Sequence, residues 1–265
     1  MAAGETILVF DSGLGGLTVY REIAAARPGA DFIYVADDAA FPYGAMTEPA
    51  LTQRVVELMS ELIGRYEPGL VVIACNTAST IVLPHLRQKF SLPFVGTVPA
   101  IKPACAGSIT KRIAVLGTEA TVQREYTRAL IRDYAAGCKV TLVGSKMLAT
   151  YAEAEIAGAP VSDALISAEI APCFRDEDGR TDTVVLACTH YPLLIDRFSR
   201  LAPWPVAFVD PASAIARRIG DLLGPSPAAP GRGATRAVFT SGRAPAAALA
   251  GFGICADQAA STTAS

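Results

Sequence analysis

Much that would assign a function at sight is missing from this chain. No apolar run approaches the ~18 residues that a membrane-spanning helix needs, so a membrane protein of the helical kind is not expected. No Cys-x-x-Cys pair and no Cys/His cluster at zinc spacing occurs, which removes the common structural metal sites. Neither sign of charge dominates: 23 Lys and Arg against 25 Asp and Glu leave a net charge of −2, giving no footprint for nucleic acid or for an anionic membrane. The glycine run Gly13-Leu14-Gly15-Gly16 falls short of a dinucleotide fingerprint, because Thr18 stands where the last glycine belongs and an acid near Asp31 does not replace it. Neither Cys75 nor Cys188 opens a phosphatase loop, since Ile81 and Leu194 occupy the positions where such a loop has arginine. The start, Met1-Ala2-Ala3-Gly4-Glu5-Thr6, lacks the basic residues of a signal peptide, and a cytoplasmic protein is expected.

What is present is an alternating α/β pattern in 265 residues, enough for one large or two modest domains with real cores. Ile7–Phe10, Phe32–Val35, Leu70–Ala74 and Phe94–Gly96 read as the strands of a first half, and Ile113–Leu116, Val140–Val143, Thr183–Ala187 and Val206–Val209 as those of a second. Thr47-Glu48-Pro49 reads as a helix start, continued at helical spacing by Leu51, Val55, Leu58 and Leu62 and stopped at Pro68-Gly69. Asp210-Pro211 reads as an N-cap with proline in the first helical position, opening a helix through Ile215 and Ile219 to Leu223. The matched order of the two halves suggests an internal duplication. A further strand at Arg236–Thr240 has no counterpart in a four-strand repeat, so the tail is expected to return to the first domain.

Six cysteines would suit three disulfides only in a short secreted scaffold. Cys105, Cys138, Cys173 and Cys255 read as small core or surface residues. Cys75 and Cys188 differ from them. Leu70-Val71-Val72-Ile73-Ala74-Cys75-Asn76-Thr77 and Thr183-Val184-Val185-Leu186-Ala187-Cys188-Thr189-His190 are both β-branched runs ending in Ala-Cys and polar residues. Each thiol therefore sits at the carboxyl end of a buried strand, the edge at which open α/β sheets bind ligands. A helix beginning there offers free N–H groups and a positive dipole end, which favour a thiolate and attract a carboxylate. Either cysteine alone reads equally well as a packed strand-end residue; the pair points to joint action on one anionic substrate.

Five stretches carry a resemblance. Val9-Phe10-Asp11-Ser12-Gly13-Leu14-Gly15-Gly16-Leu17-Thr18, Phe41-Pro42-Tyr43-Gly44, Ala74-Cys75-Asn76-Thr77-Ala78-Ser79, Val98-Pro99-Ala100-Ile101-Lys102-Pro103 and Ala187-Cys188-Thr189-His190-Tyr191-Pro192-Leu193-Leu194 resemble, in order, the signatures of the bacterial glutamate racemases within the aspartate/glutamate racemase family. The resemblance spans residues 7 to about 217. It implies two similar αβα domains with mostly parallel sheets, related by a pseudo-twofold and enclosing the active site in the interdomain cleft. Residues 1–98 with 208–265 would form the first domain and carry Cys75; residues 99–207 would form the second and carry Cys188.

The implied activity is a cofactor-independent interconversion of L-glutamate and D-glutamate, supplying D-glutamate for peptidoglycan. One thiolate removes the α-proton from one face and a thiol delivers a proton to the other, because a single base would retain configuration. By resemblance Cys188 takes the proton from L-glutamate and Cys75 from D-glutamate. Asp11 lies by resemblance near Cys75, where it would accept or relay a proton; the alternative reading is a capping aspartate before Gly13. His190 would assist Cys188, whereas His85, between Pro84 and Leu86, reads as a surface or packing residue. Ser12, Asn76, Thr77, Thr189, Thr118 and Thr121 correspond to residues holding the substrate's carboxylates and amino group, a task that suits donors adding no competing base. Pro42, Tyr43 and Gly44 occupy the matching loop, and would otherwise be an ordinary turn. Asp37 is expected as an assistant, and Glu153 is left open between assistant and surface acid.

The expected partner is glutamate, with no metal, nucleic acid or membrane; family members are often dimers, so the resemblance allows a homodimer. Two rivals stand beside this reading: a racemase for another amino acid such as aspartate, and a non-catalytic small-molecule binding protein that keeps the cleft.

Overall fold

The computed structural model describes residues 5–177, 179–226, 231, 233–254 and 259–261. Cys255 and the first four residues lie outside the described residues. The chain divides into two compact units, one of Met1–Thr97 with Ala212–Ser265, the other Val98–Pro211. Ala207–Val209 pairs along its length with Thr183–Val185 and so stays with the sheet of the second unit.

The strands are β1 (Thr6–Asp11), β2 (Asp31–Ala36), β3 (Leu70–Ile73), β4 (Phe94–Gly96), β5 (Arg112–Thr118), β6 (Lys139–Ser145), β7 (Thr183–Ala187), β8 (Ala207–Val209), β9 (Thr235–Phe239) and β10 (Ala259–Ser261). Every pairing between them is parallel. In the first unit the order is β10-β9-β2-β1-β3-β4, and in the second β6-β5-β7-β8. The block 2-1-3-4 of one unit therefore recurs as 6-5-7-8 in the other, the topology an internal duplication leaves behind. β9 adds to the first sheet beside β2, as expected for the returning tail, and β10 extends that edge without having been foreseen.

Parallel sheets covered on both faces need continuous apolar strands. β3 and β7 are buried at every residue, and β1 at all but its first. Against the first sheet the helix Glu48–Tyr66 sets Leu51, Val55, Met59 and Leu62, all fully buried, onto Leu8, Phe10, Val71 and Ile73. Thr47 precedes that helix with extended backbone and proline follows in its first turn, as the sequence predicts. The helix Ala212–Leu223 starts one residue later than predicted, with Pro211 just ahead of it.

In the second unit Asp182 ties β7 to the segment entering β5. Its carboxylate accepts hydrogen bonds from Ser108 Oγ (2.7 Å), the Ile109 and Thr110 N–H groups (2.7 and 2.8 Å) and Thr183 Oγ1 (2.9 Å). Burial pushes this carboxyl up, but the four donors outweigh it and hold it down at about 2. A depressed carboxyl contributes stability above its unfolded value and loses it as pH falls through the folded one. Asp182→Asn should therefore destabilise the protein at neutral pH by roughly 1–3 kcal/mol. The gap to wild type, read by urea unfolding, should close as pH falls from 3.8 toward about 2.

Candidate active site

Cys75 follows β3 as the N-cap of the helix Asn76–Lys89, with extended backbone (φ −129°, ψ 118°), so its thiol stands at the positive end of the helix dipole. It is 5% exposed, and its Sγ lies 3.9 Å from Ser12 Oγ. Ser12 reaches it because β1 and β3 are neighbours in register, Phe10 opposite Ile73, and both chains turn off the sheet at the same edge. Asp11, fully buried at the end of β1, accepts the Gly16 N–H at 2.5 Å through Oδ2. A side chain at Gly16 would meet Asp11 Cβ at 2.6 Å, so glycine is what lets the loop fold back over that carboxylate. Asp11 thus anchors the loop ahead of the helix Leu17–Ala26, whose N-cap is Gly16 and which has no side-chain cap.

Asn76 and Thr77 open the helix and are 2% and 4% exposed. Both polar atoms of the Asn76 amide are buried with no hydrogen-bond partner among the described residues. Leaving such groups unpaired costs about 1–3 kcal/mol each, the signature of a side chain waiting for a ligand.

The loop Pro42-Tyr43-Gly44 follows a cis Phe41–Pro42 bond, and Tyr43 is buried in the apolar cluster that includes Cys75 and Ala78. Its hydroxyl donates to Asp37 Oδ2 at 2.5 Å. Asp37 is fully buried and also accepts two hydrogen bonds from Arg54 (2.6 Å each) and one from Thr240 Oγ1 (2.7 Å). Burial, then the charge and hydrogen bond of Asp37, then the charge of Cys75 push the Tyr43 phenol well above its ordinary value, so it stays a neutral donor. Asp37, engaged on every side, holds the Tyr43 hydroxyl in place. Arg54 and Thr240 were not foreseen.

In the second unit Cys188 follows β7 as Cys75 follows β3. It is 7% exposed, and its Sγ lies 3.9 Å from His190 Nδ1. His190, 2% exposed, meets Glu153 Oε1 through Nε2 at 2.7 Å. With the proton on Nε2 pointing at the carboxylate, Nδ1 turns its lone pair to the thiol. Glu153, left open by the sequence, is therefore the partner of His190. Its helix, Leu148–Ile156, is started by Ser145 Oγ, which accepts the Met147 and Leu148 N–H groups at 3.2 and 3.0 Å. Arg197 pairs with Glu155 near the far end of that helix and with Asp163, the first residue of the next helix, Asp163–Ile170. Tyr191, fully buried, has its phenol pushed up by burial and by the charge of Cys188.

Thr118 ends β5 and caps the helix Glu119–Gln123, accepting the Thr121 N–H at 3.1 Å; the two hydroxyls pair at 2.9 Å. Thr121 and Thr189 are 0% and 4% exposed. His85 is exposed on its helix, as expected. Among the described residues no group of three or more His, Cys, Asp or Glu is placed to hold a metal ion. None of their helices is long and apolar enough to cross a membrane.

Two like parallel α/β units, each ending the third strand of a 2-1-3-4 order on a buried thiol beside hydroxyl and amide donors, define a double-thiol α/β protein. Residues 7–219 match the Asp/Glu/Hydantoin racemase family. A glutamate racemase of Brucella anthropi is 58% identical over 225 residues, 84% of this chain and 81% of that protein. The crystal structure of Escherichia coli glutamate racemase with L-glutamate and an activator, UDP-MurNAc-Ala, superposes with a TM-score of 0.88 at 39% identity, covering 98% of each chain. That of Aquifex pyrophilus gives 0.74 at 26% identity over 94% of this chain and 96% of the other. The chain belongs to the Asp/Glu/hydantoin racemase family.

Proposed function

We propose that this chain interconverts L-glutamate and D-glutamate without a cofactor, with Cys75 and Cys188 as the two proton-transferring groups on opposite faces of the α-carbon. The observation that carries the reading is the equivalence of the two thiols: each ends the same strand of the same four-strand order, one per unit. In this reading exclusion of water from around the substrate lets fixed N–H dipoles act more strongly on the carbanion-like transition state.

On the second-unit side, Cys188 gives its thiol proton to Nδ1 of His190, and the imidazolium so formed is held by Glu153. The thiolate then takes the α-proton of L-glutamate. On the other side Cys75, its charge favoured by the N-terminus of the helix Asn76–Lys89, works from D-glutamate with Asp11 and Ser12 beside it. Roles exchange with direction: each turnover leaves the cysteine that removed the α-proton as a thiol and the opposite one, which delivered its proton, as a thiolate. The unpaired amide of Asn76 is suited to a substrate carboxylate or amino group, and Ser12, Thr77, Thr118, Thr121 and Thr189 supply further donors. Pro42, Tyr43 and Gly44 line the Cys75 side. The product serves peptidoglycan precursor supply, and the reading takes a cytoplasmic homodimer as the working form.

Purified protein given L-glutamate in the presence of excess chelator should form D-glutamate until the enantiomers are equal, read by enantiomer-resolving chromatography. L-aspartate, one methylene shorter, should react roughly tenfold to two-hundredfold more slowly in kcat/KM. Faster turnover of aspartate would favour the first rival, and glutamate binding without turnover the second.

A further inference from the structure

Two cysteines with no part in this chemistry lie against each other. Cys105 is on the helix Ile101–Gly107 and Cys138 stands just ahead of β6, 33 positions away. Cys138 Sγ is 3.8 Å from the Cys105 carbonyl oxygen, and the two thiols are in side-chain contact. Cys105 is buried and Cys138 half-buried, so one sulfur faces the interior and the other meets solvent.

Lys111 completes the cluster. It is one of two non-glycine residues in the left-handed region among the described residues (φ 57°), a conformation that L side chains disfavour. From there its ammonium donates to the Cys105 carbonyl at 3.0 Å and sits where it favours a negative charge on the Cys105 sulfur. Burial and the neighbouring thiol outweigh that pull and push Cys105 up to about 11. Cys105 therefore stays a thiol in the resting protein, leaving the more exposed Cys138 to meet an oxidant first.

We propose that Cys105 and Cys138 form an oxidisable dithiol whose substrate is a hydroperoxide, and whose product is a disulfide tying the helix Ile101–Gly107 to the turn ahead of β6. The Cys138 thiolate attacks one peroxide oxygen; the O–O bond breaks, Cys138 becomes a sulfenic acid, and the other oxygen leaves and takes up a proton. The Cys105 sulfur then attacks the Cys138 sulfur, and its proton leaves with the sulfenic hydroxyl as water. Two thiols are oxidised by two electrons and one peroxide is reduced. Lys111 stabilises the charge on Cys105 as its proton departs. A disulfide so made is of the transient kind that proteins in reducing compartments use, reversed by an external dithiol.

The test treats the whole protein, with glutamate present to shield Cys75 and Cys188, with one equivalent of hydrogen peroxide, followed by peptide mapping without reductant. The expected product is a Cys105–Cys138 cross-linked peptide pair that dithiothreitol separates, with a thermal midpoint about 5 °C higher in the oxidised protein. Cys173, fully buried and pushed up to about 12, should remain a thiol. Cys105→Ser should turn over as wild type does, form no cross-link, and leave a Cys138 sulfenic acid that dimedone captures. Cys138 that stays reduced, or that runs on to the sulfinic acid in the wild type without joining Cys105, would overturn the proposal.

Discussion

Cys75→Ala and Cys188→Ala are each expected to lower kcat for racemisation by at least about 10³-fold in both directions while the protein stays folded. The size follows from the chemistry. Well-placed general acid or base catalysis is worth roughly 10²–10⁴-fold, and here every turnover needs both groups, one to remove a proton and one to replace it on the other face. Losing Cys188 deprives L-glutamate of its base and D-glutamate of its acid, and losing Cys75 does the converse. Neither change should unfold the chain, since each removes one sulfur from a side chain 5% or 7% exposed, a loss on the order of 1 kcal/mol. Racemisation measured by circular dichroism, alongside thermal unfolding of the same samples, separates a lost base from a lost fold. Substantial turnover by either variant would remove the two-thiol mechanism.

The second large effect is expected on one side only. Glu153 fixes His190 with its Nδ1 lone pair toward Cys188, so Glu153→Gln should disorder that tautomer and His190→Asn should remove the proton acceptor altogether. Both should slow proton removal by Cys188, by roughly tenfold to a hundredfold, and leave removal by Cys75 nearly untouched. The two enantiomers have equal free energy, so kcat/KM cannot diverge between directions; the asymmetry must appear in kcat and KM taken separately. It must also appear in the α-deuterium isotope effect, which should rise with L-glutamate and not with D-glutamate. Glu153→Asp, which keeps the carboxylate, should recover part of the loss. Equal isotope effects in both directions for both variants would mean that these residues only position substrate.

The parts of this molecule that were legible in the sequence share a physical cause. A strand covered on both faces must be apolar along its whole length, so β3 and β7 announce themselves as β-branched runs, and the residue after each run stands at the sheet edge where Cys75 and Cys188 are found. What the sequence hid are contacts between distant elements. Glu153 lies 37 positions from His190, and Arg54 and Thr240 lie 17 and 203 positions from Asp37. A single charged or hydroxyl side chain on a helix or at a strand end carries no period, and only the fold shows what it faces. Thr240 left one faint trace, standing at the carboxyl end of a predicted strand as the site residues do. β10 had none, because the alanine-rich tail lacks the alternation or the branched run that marks a strand.

The central claim is that two different groups handle the α-proton, and proton tracing in D2O tests it most directly. Wild-type protein is given L-glutamate with a hydrogen at the α-carbon, and the first few per cent of reaction is analysed by mass spectrometry of the separated enantiomers. The two-thiol account predicts D-glutamate carrying deuterium from the first turnovers, delivered by Cys75, while the remaining L-glutamate stays unlabelled because Cys188 returns the proton it took. D-glutamate that retains the original hydrogen, or L-glutamate that gains deuterium as fast as product forms, would show a single group serving both faces and contradict the account.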